Sequence, residues 1–289
     1  MLIEFLILFL IAILAGLLGA LVGIGGGIII VPALTLILGL PIHTAIAASL
    51  ISVIATSVAG AHRYVEQQIT NIRLGIFLEV STTIGAFSGA LLALILQGSI
   101  LSIIFGVLVF YMAIFSYRTR AHDDQVPIIN DDNSDDKLEK FLDIKDEYHD
   151  QALDKDIIYI VKRPLAGSLI SYFAGVGSGL LGIGGGIIKV AVMNHLMKIP
   201  IKVAVATSKF MIGVTAAASS VLYFLSGSVN LYVVAPIALG TMIGASFGSN
   251  IMNKFKSKYI KLLFTIVAGY LSLRMILKGL SEGYNINIF

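Results

Sequence analysis

A string of seven residues, Gly-Ile-Gly-Gly-Gly-Ile-Ile, occurs twice, at 23–29 and at 182–188, each time inside a long apolar stretch. Sliding the chain on itself by 159 residues, the offset from Gly23 to Gly182, brings much more into register. Gly16, Leu21, Val31, Pro41, Ile42, Ala45, Ala47 and Ser49 meet Gly175, Leu180, Val190, Pro200, Ile201, Ala204, Ala206 and Ser208. The match continues through Tyr64 with Tyr223, Asn71 with Asn230, and Gly85-Ala86 with Gly244-Ala245. Self-similarity on this scale is the mark of a duplicated structural unit.

With 57% hydrophobic and only 13% charged residues, the chain falls outside the composition of soluble domains, which carry about 25% charge. Its mean hydropathy is +0.94. The surplus apolar surface must face lipid, and the stretches 74–96, 100–117, 203–225, 231–251 and 262–277 approach or exceed the ~20 residues a helix needs to cross a bilayer. The expected fold is an all-α polytopic membrane protein. The first apolar run lacks the basic start and small-residue cleavage site of a signal peptide, so it is expected to be retained as a helix. Cysteine is absent, which excludes disulfides and thiolate chemistry. The small net charge of +3, without a basic run interleaved with aromatics, gives no reason to expect a nucleic-acid partner.

Between the halves lies a polar, acidic stretch, so the chain divides into a first membrane repeat (1–118), an acidic soluble linker (119–162) and a second membrane repeat (163–289). The linker's Asp-Asp-Asn-Ser-Asp-Asp run fails as a calcium loop. Counted from Asp131, Asp136 stands where the turn glycine belongs and Leu142 where the bidentate glutamate belongs. A solvated tether, folding in part against the membrane face, is the expectation.

After each glycine string a short apolar run, 28–38 or 187–197, ends at a turn before Pro41 or Pro200. Eleven helical residues reach only ~16 Å, about half a bilayer. Each repeat is therefore read as a Gly-rich broken-helix hairpin plus three transmembrane helices. A hairpin and three crossings are an odd number, which inverts the second half relative to the first; a first segment that crossed once would make the repeats parallel. Basic residues favour inversion. Arg63 and Arg73 flank one connection of the first half, whereas Lys198, Lys202, Lys254, Lys256, Lys258 and Lys261 cluster at the other connections of the second. Because Lys and Arg in short loops favour the cytoplasm, the linker is expected there, with both termini outside.

Consecutive glycines within a span leave backbone groups unpaired, at several kcal/mol each in hydrocarbon unless protein, water or ligand meets them. Gly25, Gly26 and Gly27, and Gly184, Gly185 and Gly186, are thus candidate binding residues. The half-helices that follow them offer free N–H groups to an anion. The competing use of such glycines is close helix packing. No βαβ unit surrounds the string and no Gly-Lys-Ser/Thr follows, so nucleotide motifs are excluded.

Ionisable groups at bilayer depth are costly and face a partner or water. Lys189 and Lys209 stand where the first half has Ile30 and Leu50, an asymmetry suited to one bound anion; snorkelling to the interface is the alternative. Ser49, Thr207 and Ser208 offer hydroxyls to a ligand or to neighbouring helices. Asn194 and His195, on the short half-helix, are candidate pore-lining residues. Glu79, whose counterpart is Ala238, is either a proton relay or the partner of a basic group. His43 and His62 are expected at the interface, and Arg274 and Lys278 to snorkel. No metal-ligand spacing, cofactor motif or catalytic set is present, so no metal, cofactor or enzymatic activity is expected.

These residues resemble the TauE/SafE family of sulfite and organosulfonate exporters. The resemblance rests on G-x-x-G-x-x-x-G-I-G-G-G-I-I-I-V-P from Gly16, its copy G-x-x-S-G-L-L-G-I-G-G-G-I-I-K-V from Gly175, and the strings ending at Ser49 and Ser208. It extends to the Gly-Ala pairs at Gly85 and Gly244, and covers both halves. Ala191 departs from it where Pro32 stands in the first copy. The resemblance implies an inner-membrane carrier that moves small sulfur-containing anions, such as sulfite or sulfoacetate, outward. The absence of Cys excludes a cysteine-dependent thiosulfate mechanism. The expected partners are a small anion and the bilayer, with a homodimer left open as an assembly; an anion channel is the alternative function, and an intramembrane enzyme a distant third.

Overall fold

The computed structural model describes residues 2–22, 25–119, 145–150, 155–251 and 257–284; the acidic run at 123–136, Gly23, Arg120, Lys254 and Lys256 lie outside them. The side chains of His62, Arg63, Arg118, Lys258 and Lys261 lie outside the description too. The first half comprises α1 (Leu2–Val22), α2 (Gly27–Pro32) prolonged by a π-helical segment (Ala33–Ile37), α3 (Ile42–Glu66), α4 (Ile72–Ile95) and α5 (Gly98–Thr119). Strands β1 (Lys145–Asp150) and β2 (Lys155–Ile160) follow. The second half comprises α6 (Pro164–Leu181), α7 (Gly186–Ala191) with its own π-helical segment (Val192–Leu196), α8 (Ile201–Leu225), α9 (Leu231–Ile251) and α10 (Ser257–Tyr284). The repeat offset recurs in the fold: α2 and α7, α3 and α8, α4 and α9, and α5 and α10 begin at matched positions, and so do the two π-helical segments.

Seven described helices, α1, α3, α4, α6, α8, α9 and α10, are long and apolar enough to cross a membrane, and α5 adds a shorter apolar run, Gly98–Ile114. Large apolar side chains such as Leu14, Ile84, Ile95, Phe224 and Phe247 are exposed on their outer faces, as a lipid-facing surface requires. The chain is a multi-pass α-helical membrane protein. α1 and α6 are longer than half-membrane arms, and only the short return segments α2 and α7 with their π-helical extensions are of half length.

Lipid removes the hydrophobic incentive for one helix to choose another, so close backbone contact decides the pairing. Glycine supplies it here in two copies. A Cβ on Gly85 or Gly89 of α4 would strike the carbonyl of Tyr172 or Val176 on α6, and one on Gly175 or Gly179 of α6 would strike that of Thr82 or Ala86 on α4. In the mate interface Gly244 and Gly248 of α9 lie against the carbonyls of Ile13 and Leu17 on α1, and Gly16 lies against Thr241. Residue numbers rise together along both interfaces, so α1 and α9 run parallel, as do α4 and α6. Repeat mates, by contrast, run antiparallel. Along α5 and α10, Thr265 bonds the Ala113 carbonyl (3.4 Å), Gly106 meets Ser272, and Gly279 meets Ser99 and Ile103. Between α3 and α8, Gly213 lies on Ser57, while Lys209, one turn earlier, reaches Gly60 and Tyr64.

Since α4 packs on α6 and α8, and α9 on α1 and α3, each half lends its fourth helix to the other. Two clusters result, one of α1, α2, α3 and α9, the other of α6, α7, α8 and α4.

The linker contributes an antiparallel hairpin to this helical protein, with Tyr148 opposite Ile157 and Asp146 opposite Tyr159. Tyr148, Tyr159 and Val161 are buried with Leu74, Met193, Met197 and Ile199 at the ends of α4, α7 and α8. The Tyr159 hydroxyl donates to Asp146 Oδ2 (3.2 Å) and accepts from Asn71 Nδ2 (3.0 Å). Asn71 in turn caps α4 through Leu74 N (2.9 Å) and donates its backbone N–H to Thr207 Oγ1 on α8 (3.1 Å). Burial and the nearby Asp146 raise the Tyr159 pKa well above its ordinary value against the opposing Asn71 bond, so the phenol stays a neutral donor.

Candidate functional site

The two glycine strings meet at the middle of the antiparallel pair α3 and α8. Gly25 lies against Val53 and Thr56, and its mate Gly184 against Ile212 and Val53; Val53 and Ile212 are themselves repeat mates. The turns need glycine: φ is +74° at Gly25, +79° at Gly184 and +67° at Gly185, a region that side-chain-bearing residues rarely occupy. Where the strings touch, the Cβ position of Gly27 is taken by the Gly182 carbonyl and by Ser49 Oγ, so no larger residue fits. Gly26 and Gly186 complete the two turns. α2 and α7 start from them, with Ile30 N bonded to the Gly26 carbonyl (3.1 Å) and Lys189 N to that of Gly185 (3.1 Å).

The predicted hydroxyls are engaged with backbone. Ser49 donates to Gly182 O (2.7 Å), Ser208 to Gly186 O (3.3 Å), and Thr207 accepts from Asn71 N. Ser49 and Ser208 set the shape of the strings by bonding carbonyls that the turns leave open, whereas Thr207 ties α8 to the start of α4. Asn194 Nδ2 closes the turn after α7 on the Ile199 carbonyl (2.9 Å), and His195 is exposed. Neither lines the pocket described next. His43 bonds the Ala93 carbonyl (3.0 Å), and Lys278 reaches the Thr35 carbonyl (2.6 Å) and Glu282 (3.7 Å).

The two in-span lysines meet different surroundings. Lys209 is 8% exposed and lines a pocket with Gly19, Ala20, Gly25, Thr56, Ser57, Gly60, Ile212 and Ala245. Its ammonium lies 3.4 Å from the Tyr64 hydroxyl and 4.9 Å from the centre of that ring, a cation-π contact. Among the described residues no carboxylate comes within ion-pair distance of it. The pocket is bounded by α1, α3 and α9 of one cluster and α8 of the other, and so lies on the seam between them.

Lys189 is fully buried, not snorkelled to an interface. Its ammonium donates to Thr215 Oγ1 (2.5 Å) and lies 3.8 Å from Glu79 Oε2, while Thr215 Oγ1 donates to Glu79 Oε1 (2.7 Å). Of the two readings of Glu79, partner of a basic group is the one seen. This triad ties α4 to α7 and α8. Thr215 is the mate of Thr56 and Tyr223 that of Tyr64. Tyr223 is fully buried, with its hydroxyl on the Gly179 carbonyl (3.0 Å), and Leu50 stands for Lys209; the second half's version of the pocket is thus filled by protein. Tyr64, Thr56, Ser57, Gly60 and Thr215 were not singled out from sequence. The matched pair Tyr64 and Tyr223 was the available signal.

Residues 8–275 match the model of the sulfite exporter TauE/SafE family. The chain belongs to that family. It is 28% identical over 286 residues to the probable membrane transporter protein YunE of Bacillus subtilis, covering 96% of this chain and 99% of that protein. A probable membrane transporter protein of Methanocaldococcus jannaschii is 28% identical over 270 residues, covering 88% and 89% of the two chains. YdhB, also a probable membrane transporter protein of B. subtilis, is 26% identical over 255 residues, covering 87% and 93%. No solved structure matches. TauE/SafE membership and the seven apolar helices make the chain a multi-pass protein of a membrane-transporter family.

Proposed function

We propose that the chain is a secondary transporter of the cytoplasmic membrane that exports small sulfur-containing anions, such as sulfite, sulfoacetate or related organosulfonates, by alternating access. The observation that carries this is Lys209: a cation held at bilayer depth, in a pocket, with no carboxylate partner among the described residues. A charge in that position is costly unless a ligand or water answers it. Of the glycine strings, Gly25 borders the same pocket, so the turn of the first string forms part of an anion's surroundings.

The antiparallel course of α3 against α8 and of α5 against α10 supports inverted repeats. The basic residues favour a cytoplasmic hairpin and outward termini. Alternating access then comes from motion along the α3/α8 seam, where the pocket lies. The test is sulfite counterflow in proteoliposomes: saturable exchange in the wild type, abolished in Lys209→Met and retained in Lys209→Arg. Unsaturable, voltage-driven current in the wild type would convert the reading to an anion channel, and undiminished exchange by K209M would overturn the site.

A further inference from the structure

We infer that the Lys209 pocket selects monovalent over divalent oxyanions; this rests on the anion site proposed above and concerns how much charge that site accepts. Three charged side chains are buried among the described residues: Glu79, Lys189 and Lys209. Glu79 and Lys189 answer each other across 3.8 Å, with Thr215 bonded to both, and contribute no net charge. One positive charge remains, on Lys209. The Tyr64 ring and hydroxyl steady that ammonium but add no charge of their own.

The pocket's hydroxyls do not enlarge its capacity. Thr56 donates to the Val53 carbonyl (3.0 Å) and Ser57 to the carbonyl of Lys209 itself (2.5 Å), so both protons are committed to backbone. Other lining residues, Ala20, Ile212 and Ala245, are apolar. A monoanion entering here is neutralised by Lys209. A dianion carries a second charge into low dielectric without a partner, and an unpaired buried charge is among the most costly features a protein can hold. Of the anions proposed above, hydrogensulfite and singly charged sulfonates are therefore favoured over the sulfite dianion and over sulfoacetate, whose two acidic groups are both ionised at neutral pH.

Methanesulfonate and sulfate isolate this effect. Both are tetrahedral at sulfur and close in size, and a methyl group in one replaces a charged oxygen in the other. The experiment is calorimetric binding of each anion at neutral pH to the purified full chain in detergent, for wild type, Lys209→Met and Thr56→Lys. Wild type is expected to bind methanesulfonate at least about tenfold more tightly than sulfate. T56K, which adds a second cation to the pocket wall, is expected to narrow or reverse that ratio.

Sulfate bound as tightly as methanesulfonate by wild type, with both lost in K209M, overturns charge selection and leaves the site standing. A ratio unchanged in folded T56K also overturns charge selection. If K209M binds both anions as wild type does, or wild type binds neither, the site itself falls and this inference with it. Should T56K not fold, the wild-type ratio decides alone.

Discussion

Thr56 and Thr215 occupy the same position in the two repeats and lead different lives. Thr56 borders an open pocket whose cation, Lys209, has no carboxylate partner among the described residues, whereas Thr215 lies in a closed triad in which Glu79 and Lys189 cancel. The backbone frame around both is the same, and from α2 and α7 onward the mated helices begin at matched residues. Three exchanges account for the divergence: Leu50 against Lys209, Ile30 against Lys189, and Ala238 against Glu79. Duplication supplied two equivalent crevices, and substitution left one open and turned the other into a brace.

Several substitutions bear on this contrast, the largest effect first. Lys209→Met leaves a bound anion unpaired at bilayer depth and is expected to weaken sulfite binding by about two orders of magnitude or more, on the 2–5 kcal/mol scale of a truncated buried charge pair. Thermal unfolding in detergent should show little change, since Lys209 holds few structural bonds; a large loss of stability would place it with the brace instead. The reverse pattern is expected of Lys189→Met, which strands Glu79 at a cost of about 3–5 kcal/mol of stability. The double variant K189M/E79L should recover most of that loss. Failure of the second change to rescue would show that the triad is not a neutral pair.

Ala at Gly85 and at its mate Gly244 tests the frame that the two crevices share. Each Cβ meets a carbonyl of the partner helix, so each is expected to cost roughly 1–3 kcal/mol, and to a similar extent. Markedly unequal losses would mean that the halves tolerate separation differently. Tyr159→Phe removes the bonds to Asp146 and Asn71 and should cost about 1 kcal/mol, seen as faster hydrogen exchange in the hairpin. Because the folded pKa of Tyr159 is raised, its contribution is present below the ordinary tyrosine pKa of about 10 and is lost as the pH rises beyond it. Hairpin protection that increases above pH 10 would contradict the assigned donor.

Much of the frame was legible in the sequence because duplication writes the same boundaries twice: the glycine strings, Pro41 and Pro200, and Asn71 and Asn230 all mark ends that the helices keep. Lys189 and Lys209 were visible as charges at depth, and Glu79 as a group in need of explanation. Their pairing was not legible. Glu79 lies on α4 and Lys189 on α7, and nothing in local periodicity reveals that α4 crosses to the other half. The β-hairpin was hidden for a related reason, since Lys145–Asp150 is a polar strand held by its pairing with β2, which Tyr159 ties to Asn71, rather than by alternation of its own. Asn194 and His195 were drawn in by proximity to Lys189 along the chain, and the π-helical segment carries them away from the pocket.

The exchange of α4 and α9 has a consequence for how such a protein is made. During synthesis the glycine face of α1 must wait roughly 200 residues, past the whole linker, before its partner α9 exists. Neither repeat is a self-sufficient piece of membrane architecture, because the helix that completes each belongs to the other. An ancestor with a single unit would have had to find that helix in another molecule. Fusion into one chain turned that encounter between two products into a folding step within one.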